Sequence, residues 1–108
     1  MNIKGKAMVL ITTEQLEQLK KNGYDCMKPV LKLFNPTGAG TWLVTGIEDG
    51  ILYGFADLGM GCVEWGGLFS IEEMVATRFR FGLGIERDRH WTPDDSVNYA
   101  ALDSLQGV

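Results

Sequence analysis

Long apolar runs are missing from this 108-residue chain: Ala7 to Ile11 is uninterrupted for only five residues, against the roughly 18 to 20 that a membrane helix needs. No membrane partner is therefore expected. Lys4 and Lys6 precede that run as they would in a secretory signal, but Thr12, Thr13 and Glu14 break it before an apolar core develops. The chain reads as cytoplasmic. Cysteine is scarce too. Cys26 and Cys62 form no C-x-x-C pair, which excludes a zinc cluster and a disulfide framework and predicts two buried free thiols.

Complete catalytic motifs are also missing. Gly59-Met60-Gly61 and Gly82-Leu83-Gly84 each supply half of a phosphate loop, without the residues that would complete one, and both read as turns. Ser70 lies outside any G-x-S-x-G elbow and twenty residues from the one histidine, His90, which argues against a serine hydrolase. No catalytic residue, metal ligand or cofactor is assigned on these grounds.

Cations are absent from the middle of the chain. All six lysines precede Pro36 and all four arginines lie between Arg78 and Arg89, so residues 37–77 carry six acids and no Lys or Arg. The total of -4 therefore conceals segments of +3, -6 and -1. A broad nucleic-acid surface is disfavoured, and binding to duplex DNA is not expected. What is present is ordinary globular material: 45% hydrophobic and 22% charged residues with eleven aromatics. That is enough for one core and too little for two domains.

Thr12, with Gln15 three residues later, has the spacing of a capping box and predicts a short helix from Thr13 to Asn22, stopped by Gly23 and approached through the apolar segment Met8 to Ile11. Pro29 to Phe34 reads as a strand, and residues 35–40 as a turn. Thr41 to Glu48 and the run from Ile51 flank Asp49-Gly50, a two-residue type I′ hairpin signal. The register predicted from that turn pairs Ile47 with Leu52, Gly46 with Tyr53, Thr45 with Gly54 and Val44 with Phe55. Both faces are apolar, so the hairpin is expected at the centre of a sheet covered on two sides. Val63 to Phe69 adds a strand, kinked at Gly66-Gly67. Ser70 with Glu73 is a second capping box, opening a short helix to about Arg78. Ile85 to Trp91 reads as extended, and Asp94-Asp95-Ser96 as the cap of a terminal helix carrying Val97, Ala101, Leu102 and Leu105. The order implies an α+β single domain with a mainly antiparallel four- to five-stranded sheet and two or three short helices.

The candidate functional cluster is Glu86, Arg87, Asp88, Arg89, His90 and Trp91. Extended, it places Glu86, Asp88 and His90 on one face and Arg87, Arg89 and Trp91 on the other. The first set is a donor group for a divalent ion or a carboxylate-oriented histidine base, the basis of a metal- or phosphate-dependent enzyme. Arg78, Arg80, Arg87 and Arg89 with Trp91 offer phosphate grips and a stacking ring, the basis of nucleic-acid binding. The plainer expectation is a solvated strand whose arginines pair with the neighbouring acids.

Several runs together are familiar: Thr12-Thr13-Glu14, Pro29 to Pro36, Thr41-Trp42, Tyr53-Gly54, Leu68 to Glu73, and above all Gly82-Leu83-Gly84-Ile85-Glu86-Arg87-Asp88. Across residues 8–93 the chain resembles a family of small bacterial proteins known as domain of unknown function 2958, with residues 94–108 left as a C-terminal extension. The resemblance implies a stand-alone cytoplasmic domain of plasmids, integrative elements and phage-like regions, and it carries over no site residues. The resulting expectation is a small non-enzymatic accessory protein of a mobile genetic element that binds a host or element-encoded protein. Its sharper form is an anti-defence inhibitor whose acidic stretch imitates phosphate charge.

Overall fold

The computed structural model describes residues 3–108. Helices α1 (Ile3–Leu10), α2 (Thr13–Asn22) and α3 (Ile71–Ala76) accompany strands β1 (Leu31–Phe34), β2 (Thr41–Glu48), β3 (Ile51–Asp57), β4 (Glu64–Ser70) and β5 (Glu86–Arg87). The strands form one antiparallel sheet in the order β4-β3-β2-β1-β5. The α+β expectation holds. No described helix is long and apolar enough to cross a membrane.

Both capping boxes form. Thr12 accepts from the Gln15 N–H at 3.1 Å while Gln15 Oε1 accepts from the Thr12 N–H at 3.0 Å, and Ser70 and Glu73 repeat the exchange at 3.1 and 3.0 Å. Each satisfies N–H groups that a helix start leaves without partners. The apolar approach to α2 has its own secondary structure. It coils into α1, whose end puts Leu10 and Ile11 into the core and Ala7 against it.

The Asp49-Gly50 turn has φ of 52° and 76°, as a type I′ hairpin demands. Glu48 pairs Ile51, Ile47 pairs Leu52 and Gly46 pairs Tyr53 as expected, but the register then shifts and Val44 pairs Gly54, with Leu43 opposite Phe55. Thr45 is the extra residue of a bulge. The Asn22 side chain at the end of α2 donates to the Thr45 carbonyl at 2.8 Å, and the Gly23 carbonyl lies where a Cβ on Gly46 would be. The helix end is thus seated on the kink. A second shift, between Leu52 and Tyr53, leaves Leu68 as the extra residue in β4, beside the expected Gly66-Gly67 kink.

The bulge sorts the apolar residues onto two faces. Leu31, Leu33, Trp42, Val44 and Leu52 pack with Leu10, Leu19, Met74, Val75 and Ile85 under the three helices. Leu43 and Phe55 pack on the other face with Tyr99 and Leu105, joined by Trp91, Leu102 and Val108. The expected covering of both faces is present, but the second cover is not a terminal helix. After Pro93 the chain makes one 3-10 turn, Tyr99–Ala101, because Asp57 ties down the residues beyond that turn. Asp57 Oδ2 accepts from the Leu105 N–H at 2.8 Å and the Ser104 hydroxyl at 3.1 Å, and Oδ1 from the Gly59 N–H at 2.9 Å. The cysteines are free, but the expectation that they are buried fails for both: Cys26 is half-buried and Cys62 exposed.

Candidate functional site

Short β5 carries the start of the candidate cluster by pairing with β1, Arg87 opposite Leu33 and Glu86 opposite Phe34. The Asp88 N–H reaches the Lys32 carbonyl at 3.0 Å, and there the extended run ends. Asp88 Oδ1 accepts from the His90 N–H at 3.0 Å and its carbonyl from the Trp91 N–H at 3.4 Å, which closes a turn of the type aspartate favours. The expected extension to Trp91 is therefore overturned. Trp91 parts from Arg87: its ring lies against Tyr99, 6.2 Å between centroids, in the second core. Arg87, opposite core-facing Leu33, reaches instead toward α2 and meets Gln15 Oε1 at 3.4 Å.

The expected ion pairs do not form between sequence neighbours either. Asp88 pairs with Lys32 at 3.7 Å, and Lys32 also donates to the Val108 carbonyl at 2.8 Å, so this carboxylate helps hold the second cover in place. Glu86, Arg89 and His90 are exposed. Glu86 to His90, together with Val9, Leu10, Phe34 and Ile85, line a cleft of about 530 Å³. Among the described residues, no three His, Cys, Asp or Glu side chains come together as a group that holds a metal ion.

The four arginines do not converge. Arg78 donates at 2.7 Å to the carbonyls of both Val75 and Thr77, capping the end of α3, where a cation also meets the negative end of the helix dipole. Arg80 lies over the Phe81 ring at 5.4 Å. Arg78 borders another cleft of about 340 Å³, which adjoins the one that Arg87 and Arg89 line across Val9, Leu10 and Ile85.

Two exposed apolar groups escape a reading of the sequence for motifs. Phe81, 86% exposed, sits at φ 61° on the tip of the 78–84 loop. Met60 is 82% exposed, with Leu58 at 52% and Trp65 at 36% beside it in the chain, at the junction of β3 and β4. The signal that bears on Met60 is the pair of glycines around it. An apolar residue between Gly59 and Gly61, both at positive φ, occupies a turn tip and has no core to enter. This apolar group lies within the cation-free segment and next to β4, the open end of the sheet.

A family model described as a protein of unknown function (DUF2958) matches residues 8–107. It runs past Pro93 and across the Asp57-bound segment, as the packing of Tyr99 and Leu105 against the sheet would require. No curated protein and no solved structure matches the chain. With nearly its whole length inside that match, the chain belongs to the DUF2958 family.

Proposed function

We propose that this protein is a small non-enzymatic accessory protein that acts by binding a partner protein at the β3–β4 end of its sheet. The observation that carries the reading is the exposed group Leu58, Met60 and Trp65, next to the free edge of β4 in the segment without Lys or Arg. Exposed apolar side chains at a turn tip, with the exposed carboxylate of Glu64 next to Trp65 in the chain, have the make-up of a binding site: an apolar centre that excludes water and a charged group at its rim that selects the partner. We assign the protein to the cytoplasm and to a mobile genetic element, with a host or element-encoded partner. An anti-defence role as a phosphate mimic fits less closely, because Asp57 is turned inward and bonded and Glu73 caps Ser70.

Affinity capture from host lysate, read by mass spectrometry, compares the tagged chain with its Met60→Asp variant. Met60 makes little buried contact, so the variant keeps its melting temperature. The expected result is a discrete partner retained by the unaltered protein and lost from Met60→Asp; identical captured sets would overturn the reading.

A second reading, a metal- or phosphate-dependent enzyme, draws support from the cleft that Glu86, Arg87, Asp88, Arg89 and His90 line with Val9, Leu10, Phe34 and Ile85. It is weakened by the prior engagement of Asp88 with Lys32 and the His90 N–H. Nucleic-acid binding through Arg78 to Arg89 is weaker again, since Arg78 caps α3 and Trp91 packs on Tyr99.

A further inference from the structure

We infer that the outer edge of β4 takes up an extended, lysine- or arginine-bearing segment of the partner as a sixth strand; the inference rests on the partner-binding reading and names the class of partner. β4 ends the sheet, and among the described residues no strand lies beyond it. Its outward N–H and C=O groups are a template for another strand. The opposite end is closed to such addition: β5 is two residues long and ends in the Asp88 turn.

Three features confine what the β4 edge accepts. Regular pairing with β3 runs from Glu64 to Gly67 and slips at Leu68, so an added strand matches the first part of β4 and loses register beyond it. Gly66 and Gly67 carry no side chain, and a Cβ placed on Gly66 would meet nothing within 4 Å, leaving the backbone open to close approach. Glu64, the first residue of the strand, is exposed, and neither β4 nor its neighbour β3 carries a Lys or Arg. Opposite charges across a strand pair stabilise it and like charges oppose it. Glu64 thus disfavours an acidic segment beside it and favours a basic one. Leu58, Met60 and Trp65 stand at the start of β4 and give such a segment an apolar anchor.

The test is selection of a displayed library of random ten-residue peptides on the full chain, followed by amide hydrogen exchange with a selected peptide bound. Selected peptides should be enriched in Lys and Arg, depleted in Pro, Asp and Glu, and should protect amides within Glu64–Gly67. Backbone N-methylation of the peptide, or the Glu64→Lys protein, should weaken binding about tenfold or more. Selection without basic enrichment, protection elsewhere, or affinity unmoved by N-methylation would overturn strand addition. Loss of capture in Met60→Asp together with any of these results leaves partner binding standing and removes only the added strand. Failure in both experiments removes both.

Discussion

At the scale of single residues, Asp57 closes the second face of the sheet. Its two oxygens accept N–H bonds from Gly59 and Leu105 and a hydroxyl from Ser104. These hold the carboxyl below the usual carboxylate range, the Leu105 N–H contributing most and the Gly59 N–H next, against the opposing effect of burial. Because the folded-state pKa is lowered, the stabilisation is complete above the unfolded value, about 3.9, and is lost as pH falls through the lowered folded value. Asp57→Ala should cost about 1.5 to 3 kcal/mol at neutral pH, the range for hydrogen bonds to a charged group. Urea melts at pH 7 and pH 3 check this: the deficit of the variant should shrink at the lower pH, and a deficit equal at both would contradict the clip. None of this was legible locally. Asp57 looks like a solvated acid at a strand end, and its partners Ser104 and Leu105 lie nearly fifty positions downstream. The Glu86 to Trp91 run misleads for the opposite reason. Its alternation is real in the sequence, but Asp88 bonds the His90 N–H and turns the chain, as aspartate does when it competes with a ladder.

Among the elements, the β2–β3 hairpin divides the core. Val44 is fully buried under the helices and Phe55 is buried beneath the C-terminal segment. Val44→Ala and Phe55→Ala should each cost about 2 to 4 kcal/mol through lost burial and residual cavity. Their consequences differ by face. Phe55→Ala should also raise hydrogen exchange in the segment that carries Tyr99 and Leu105, whereas Val44→Ala should not. Melts in which neither variant loses more than about 0.5 kcal/mol would contradict the placement. The elements best read from the sequence are those set by neighbours a few positions away: the two capping boxes and the Asp49-Gly50 turn with the pairs nearest it. Register beyond Gly46 escaped because the bulge depends on Asn22 reaching Thr45. Helix α1 escaped because it has Gly5 within it, no acid in its first turn and no base in its last. Contacts with α3 and the sheet are what give it a place.

For the whole molecule, charge and open surface agree on a kind of partner. The net charge is -4 and residues 37–77 have no cation, so duplex DNA at physiological salt should not be bound. Fluorescence anisotropy with a short duplex checks this. Sub-micromolar binding that falls steeply with salt and disappears in Arg87→Ala would instead make the Arg87–Arg89 cleft a phosphate site. The sheet was visible in the sequence because it rests on distributed apolar pattern and turn chemistry, and the family because of short specific runs, above all Gly82 to Asp88. The working surface was not: the Gly59 and Gly61 turn hints at an exposed Met60, but the freedom of the β4 edge beside it is a property of the assembled sheet. The most direct measurement is photo-crosslinking in the native host from a benzophenone amino acid placed at position 60, at position 65 or at position 90. Partner binding at the β3–β4 end predicts one protein adduct shared by positions 60 and 65 and absent from position 90. Adducts confined to position 90, or none from 60 and 65 in a folded, expressed protein, would contradict it.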